Sequence, residues 1–215
     1  MSVLIFANGD IPEVEWIRPY LEAPVLVIAA DGGSRHLLRL DHIPDVLIGD
    51  LDSLPQEAQA WRDDDGVTVN VYPHDKNETD LELALLHTVS FYEDDILIFG
   101  ALGGRLDQTL ANIMLLAHPA LDGRQVELVT ENQRAWLVTE QTEVKGEVGD
   151  RISLIPIGGD VLVQETSELR WSLTNEVLSV GPALGVSNEM IAPTALITLA
   201  SGTLLCIHTS REWDR

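Results

Sequence analysis

The 215-residue chain carries 35 acidic against 13 basic side chains, a net charge of −22, and 45% of its residues are apolar. That apolar content is enough for a sizeable core and excludes intrinsic disorder, while a surface this negative repels nucleic acid and anionic membrane. No basic patch offsets it, since the only lysines are Lys76 and Lys145 and the arginines are scattered; the single cysteine, Cys206, excludes a disulfide framework and a cysteine-rich zinc site.

The first residues form an apolar run without a basic n-region, cut short at Asn8-Gly9-Asp10, so neither a signal peptide nor a membrane span is expected and the cytoplasm is the expected location. From there to about residue 130, short β-branched runs alternate with amphipathic ones. The runs 3–7, 25–29, 46–48, 67–71, 96–99 and 126–129 read as strands covered on both faces, being continuous, apolar and bounded by Gly, Pro or Asp. Between them, helices are predicted at about 11–22, 33–40, 54–62, 79–90 and 105–117. The 79–90 helix has the clearest signature: Thr79 and Glu82 form a capping box, and Leu81, Ala84, Leu85, Thr88 and Val89 make one apolar face. Ser53 is read as the cap of the helix predicted at 54–62, with Pro55 in its first turn.

Beyond residue 131 the texture changes. Short runs at 134–138, 151–155, 160–163, 177–180, 195–200 and 203–208 are separated by Gly, Pro, Asn and Ser, with no helical period. The fold class expected is therefore α/β: a Rossmann-like parallel-sheet domain over 1–130, followed by an antiparallel β-sandwich over 131–215.

In open parallel sheets, ligands bind outside the carboxyl ends of the strands. Five consecutive predicted strand ends deliver carboxylates there, and four deliver glycine. They are Asn8-Gly9-Asp10, Asp31-Gly32-Gly33, Gly49-Asp50-Leu51-Asp52-Ser53, the segment from His74 to Asp80, and the segment from Gly100 to Asp107. Any one Asp-Gly or Gly-Gly pair is usually a turn, so the argument rests on their convergence. Oxygen ligands without Cys or His favour Mg²⁺ or Mn²⁺. Glycines and helix N-termini let backbone approach phosphate, and Lys76 and Arg105 would neutralise its charge. The chemistry expected is metal-assisted phosphoryl or pyrophosphoryl transfer.

These residues, taken in order, resemble the thiamine pyrophosphokinase family. The resemblance is carried by Ala30-Asp31-Gly32-Gly33, Gly49-Asp50-Leu51-Asp52-Ser53, Lys76-Asn77-Glu78-Thr79-Asp80 and the run Gly103-Gly104-Arg105-Leu106-Asp107-Gln108. In the second half it continues through Leu169-Arg170-Trp171 and Gly185-Val186-Ser187-Asn188-Glu189. It implies transfer of the pyrophosphoryl group of ATP to the hydroxyl of thiamine, giving AMP and thiamine diphosphate, in a homodimer with active sites at the subunit interface. It further implies Asp50, Asp52 and Asp80 as metal ligands, with Asp31 and Asp107 as further active-site acids. Nucleotide binding falls to Asp31, Gly32, Gly33, Lys76, Thr79, Gly103, Gly104 and Arg105, and thiamine binding to Gln108, Trp171, Ser187 and Asn188. Asn77 departs from the Asp that members often carry. An indole at Trp171 would suit the cationic thiazolium ring on physical grounds alone.

Two other enzyme classes share the Asp50-Leu51-Asp52 pattern. In phosphatases of the haloacid dehalogenase type the first Asp is a phosphorylated nucleophile, but the paired acids that family needs after a later strand are missing. A nucleotide-sugar transferase would leave the Asp31 turn and the sandwich unexplained. The non-enzyme alternative is an acidic module that binds nucleotide or thiamine without turning it over.

Overall fold

The computed structural model of the chain describes residues 2–214. It divides into two compact units, Met1–Glu131 and Asn132–Arg215.

Unit 1 is built on β1 (Ser2–Phe6), β2 (Val25–Ala30), β3 (Val46–Gly49), β4 (Thr68–Val71), β5 (Asp95–Phe99) and β6 (Val126–Val129). They lie in the order β6-β5-β1-β2-β3-β4, all parallel. The central strands are apolar without alternation because both faces are covered: in β1, Val3, Leu4, Ile5 and Phe6 are all 1% exposed or less. Phe6 stacks on Phe99 at 5.2 Å between ring centroids, and Trp16 and Tyr20 close over Phe99.

Helices form where the sequence has one wide apolar face. In α3 (Asp80–Phe91), Leu81, Leu83, Ala84, Leu85 and Thr88 are buried, and the Glu82 N–H donates to Thr79 Oγ1 at 3.1 Å. The other long helix is α4 (Leu106–Leu115), and α2 (Ser34–Arg39) is short. Two predicted helices come out differently. The segment 11–22 yields only a 3₁₀ turn, Glu15–Ile17, running into the four-residue α1 (Arg18–Leu21). The segment 54–62 is a 3₁₀ helix, Gln56–Asp63, whose two buried residues, Ala58 and Trp61, stand three apart as a three-residue turn requires. Ser53 does not cap it: Pro55 occupies that position, and the Ser53 hydroxyl donates to Asp52 Oδ1 at 3.0 Å.

Unit 2 is antiparallel, as the sequence implies: β7 (Gln133–Val138), β8 (Gln141–Lys145), β9 (Arg151–Ser167), β10 (Thr174–Leu178), β11 (Asn188–Glu189) and β12 (Thr194–Thr209). The runs read as four short strands are halves of two long ones, β9 and β12. The glycines between the halves sit at bends, with Gly158 at φ +78 and Gly202 at φ +91, and the β9–β12 register slips between Thr198 and Thr203. Both halves of each strand therefore contribute to one core, which joins Ile152 and Leu154 to Val161 and Val163, and Ile197 and Leu199 to Leu204 and Cys206. β8 escapes sequence reading because it is polar, with Val144 as its one buried residue. Among the described residues no helix is long and apolar enough to cross a membrane.

Candidate active site

The carboxyl ends of β1 to β5 surround a pocket of about 520 Å³. Of the residues expected at a site, Asp31, Asp52, Lys76, Thr79, Asp80, Gly103, Gly104, Arg105 and Gln108 line it.

Asp31 follows β2 directly, in the left-handed region at φ +41, and is 4% exposed. A β-branched residue would be strained in that backbone, and Asp is among the residues that tolerate it best. Gly32 and Gly33 are buried in the turn it opens, and a Cβ on Gly33 would run into the Phe6 carbonyl oxygen. Gly49, at φ +147, ends β3; a Cβ there would lie 2.8 Å from Asp31 Cβ and 3.1 Å from Asp80 Oδ1. Lacking one, it lets Asp31 from the end of β2 and Asp80 from the first turn of α3 approach each other.

Carboxylate oxygens of Asp31, Asp50 and Asp80 lie within 4.8 Å of one another. Asp31 Oδ1 is buried without a hydrogen-bond partner. Burial, and then the Asp80 charge, push the Asp31 carboxyl above its ordinary pKa, with only partial relief from Ser53. A second group, Asp50, Asp52 and His74, meets the same distance criterion, with His74 Nε2 3.5 Å from Asp52 Oδ2. The three expected metal ligands are thus spread over two clusters that share Asp50, and Asp31 joins the more buried one. An orphaned buried carboxylate oxygen within an all-oxygen set fits a hard divalent cation.

Lys76 reaches into the buried cluster, its Nζ 3.0 Å from Asp80 Oδ1 and 3.4 Å from Asp50 Oδ2. Burial works against its charge, but Asp80 and Asp50 outweigh burial and raise its pKa. Burial likewise pushes Asp50 up, and the Asp52 N–H and Lys76 more than reverse this.

Asp107 stands apart from this group. It lies exposed in the first turn of α4, bound by Arg105 Nη2 at 2.6 Å, and the Arg105 guanidinium holds its carboxyl below the usual range. Trp171, Ser187 and Asn188 belong to unit 2. The Trp171 N–H donates to Asn188 Oδ1 at 3.1 Å, and Asn188 Nδ2 donates back to the Trp171 carbonyl at 2.6 Å. Ser187, at φ +60, donates its N–H to Ser153 Oγ at 3.0 Å. Trp171 is 57% exposed, with the Arg170 guanidinium 5.1 Å from its ring centroid.

Sequence reasoning assigned no role to Arg35 or His36, and these two hold the first pocket loop. Arg35 Nη2 donates to the carbonyls of Asn8 at 2.9 Å and Gly9 at 2.8 Å, and meets Asp10 at 3.2 Å. His36 Nε2 donates to the Gly9 carbonyl at 2.9 Å; burial drives its pKa down to about 4 and keeps the ring neutral. The one available signal was their position one residue beyond Asp31-Gly32-Gly33.

A parallel α/β sheet whose strand ends carry glycine turns and clustered carboxylates fits the class of proteins that bind phosphate compounds with a divalent cation, kinases among them. The comparisons narrow the class. Residues 17–129 match the model described as "Thiamin pyrophosphokinase, catalytic domain", and residues 139–204 match "Thiamin pyrophosphokinase, vitamin B1 binding domain". A thiamine pyrophosphokinase of Bacillus subtilis is 28% identical over 211 residues, covering 97% of this chain and 99% of its own. The crystal structure of a Bacillus subtilis thiamine pyrophosphokinase superposes with a TM-score of 0.87 at 26% identity, covering 98% of this chain and 99% of that one. A Geobacillus thermodenitrificans thiamin pyrophosphokinase superposes with a TM-score of 0.84 at 29% identity, covering 98% of each. The chain belongs to the thiamin pyrophosphokinase family, the diphosphotransferases that form thiamine diphosphate from thiamine.

Proposed function

We propose that the chain transfers the pyrophosphoryl group of ATP to thiamine, releasing AMP, with Mg²⁺ or Mn²⁺ held by Asp50, Asp80 and Asp52, and with Asp31 in reach. The observation that carries this reading is the convergence of Asp31, Asp50 and Asp80 within 4.8 Å, with Asp31 and Asp80 lining a pocket that Gly103, Gly104 and Arg105 also line. A divalent cation bound there would neutralise phosphate charge and acidify the attacking hydroxyl. The rest falls to the chain's own groups. Lys76 and Arg105 offer positive charge to the phosphates, while Gly103, Gly104 and Thr79 border the space with backbone and hydroxyl groups. The thiamine hydroxyl oxygen bonds to the β-phosphorus as the bond from that phosphorus to the α,β-bridging oxygen breaks. That oxygen leaves with AMP, and the hydroxyl proton passes to a pocket carboxylate. Of the two acids implied for that task, Asp31 lines the pocket and Asp107 is engaged by Arg105 outside it.

Thiamine binding is assigned to unit 2 around Trp171, with Ser187 and Asn188, and to Gln108 in unit 1; nucleotide and metal binding are assigned to unit 1. An exposed aromatic whose backbone is fixed by the Trp171–Asn188 exchange supports this, since an indole face attracts a thiazolium cation. The homodimer, with active sites at the subunit interface, draws support from exposed apolar residues. Leu106, Leu110 and Met114 make a stripe on α4, and Val177, Val180, Leu184 and Ile191 are open on unit 2. The cytoplasm is the location proposed.

The test is a product assay with ATP, Mg²⁺ and thiamine, with and without EDTA. AMP formed in step with thiamine diphosphate, and lost with EDTA, is the expected result. ADP with thiamine monophosphate would place the attack at the γ-phosphorus and overturn the assignment.

A further inference from the structure

Lys76 is one of only two lysines in a chain of net charge −22, and it is the one turned into the acidic pocket. It lies between β4 and α3, four residues before Asp80, so that the first turn of α3 sets Asp80 beside it. Its side chain is 11% exposed and Asp50's is 13%. With Asp31 these residues form a compact cluster of three carboxylates and one ammonium. Without the ammonium, three carboxylates with oxygens within 4.8 Å of one another would repel strongly in a half-dry site. Two carboxylate oxygens of the cluster, Asp31 Oδ1 and Asp80 Oδ1, are buried without a hydrogen-bond partner, and Asp80 Oδ1 has only its ion-pair contact with Lys76. The arrangement is therefore assembled around a cation and still holds acceptor oxygens that the ammonium alone leaves unsatisfied.

We propose that Lys76 is a built-in competitor for the metal: its ammonium occupies Asp50 and Asp80 in the metal-free enzyme, and divalent-cation binding displaces it. This rests on the metal reading above. Two consequences follow from charge alone. The ammonium keeps the carboxylates gathered before metal arrives, so no reorganisation is needed. It also lowers the affinity for metal alone, and once displaced it is free to pair with a phosphate, which makes metal and nucleotide bind cooperatively.

The experiment is Mn²⁺ titration of the nucleotide-free protein, followed by the electron paramagnetic resonance of free Mn²⁺, for wild type, Lys76→Met and Lys76→Arg. Lys76→Met is expected to bind Mn²⁺ at least about tenfold more tightly than wild type, while Lys76→Arg, which keeps the charge, is not. With α,β-methylene-ATP present, the advantage of Lys76→Met should shrink or reverse. Equal or weaker Mn²⁺ binding by Lys76→Met overturns the proposal, leaving the metal reading intact. Mn²⁺ binding by none of the three proteins overturns the metal reading, and the proposal with it.

A second measurement needs no variant. With lysine labelled at the ε-carbon, the wild-type protein gives two side-chain signals, and exposed Lys145, paired with Glu143 at 3.4 Å, serves as the internal control. Mg²⁺ should move the Lys76 signal and leave that of Lys145 in place. A Lys76 signal that stays still at saturating Mg²⁺ overturns the displacement.

Discussion

Asp31 in unit 1 and Asp150 in unit 2 are both buried aspartates, at 4% and 3% exposure, and they are treated oppositely. Asp150 accepts from the Glu147 N–H at 2.8 Å, the Arg211 N–H at 2.9 Å and His208 Nε2 at 2.7 Å. Burial alone would raise its pKa, but those donors more than reverse the effect. Asp31 keeps an unpartnered oxygen, faces Asp80 and Asp50, and is raised. A satisfied buried acid is a staple, since its burial cost is met by the groups it ties together. A buried acid left unsatisfied among other acids costs stability wherever it stands, and its retention at a pocket marks the chemistry.

The sharpest way to break this contrast is to neutralise each acid in turn. Asp31→Asn keeps a residue that tolerates the left-handed backbone and removes only the charge. It should lower kcat by at least about a thousandfold, roughly 4 kcal/mol in the barrier, while the melting temperature holds or rises. Asp150→Asn should do the reverse, costing about 3 kcal/mol of stability with the turnover of folded enzyme retained. Thermal melts and steady-state kinetics on the two variants measure both effects, and a fall in stability for Asp31→Asn together with unchanged kcat would remove the distinction.

Acid should expose a second asymmetry. Above pH 6.5, His36 is neutral in both the folded and the unfolded chain and adds no pH dependence. Below it, the unfolded chain takes up the proton first, so stability falls until about pH 4, where the folded state protonates as well. The loss is on the order of 3 kcal/mol, at about 1.4 kcal/mol per tenfold change in proton affinity. Arg35 and Arg39 reinforce the low value, and Asp10 opposes it. Denaturant titrations at several pH values should show a shallower acid slope in His36→Gln than in wild type, the remainder coming from carboxylates with lowered pKa such as Asp150.

The smallest effect belongs to unit 2. Trp171→Ala should weaken thiamine binding by about 0.5–2 kcal/mol, a rise of roughly 2- to 30-fold in KM, with kcat nearly kept. A large fall in kcat with KM unchanged would move Trp171 out of substrate binding and into the catalytic machinery.

Much of unit 1 could be read from the chain because its central strands are buried on both faces. Runs such as Val3-Leu4-Ile5-Phe6 admit no polar residue, and Asp or Gly stands at the ends of β2, β3 and β5. The strand-end rule then pointed to Asp31, Asp50, Asp80 and Lys76 before any coordinates. Thr79 was legible as a cap because capping chemistry is local. Ser53 carried the same local signal and proved misleading, because Pro55 took the capping position. In unit 2, Gly158 and Gly202 look like chain breakers. They are bends within β9 and β12 because partner strands hold the chain on either side, and that pairing is non-local.

The sequence by itself determined which residues stand at the carboxyl edge of the parallel sheet, since burial of both faces dictates the strands and their ends follow. Only the tertiary structure decided which of those residues meet. The strand order β6-β5-β1-β2-β3-β4 makes β2 and β3 neighbours, so Asp31 and Asp50 share a cluster although 19 positions separate them. It left Asp52 beside His74 and Asp107 with Arg105, and it laid Lys76 between Asp50 and Asp80. Distances of a few ångströms between charged groups depend on how strand ends and loops pack. No periodicity along the chain records that.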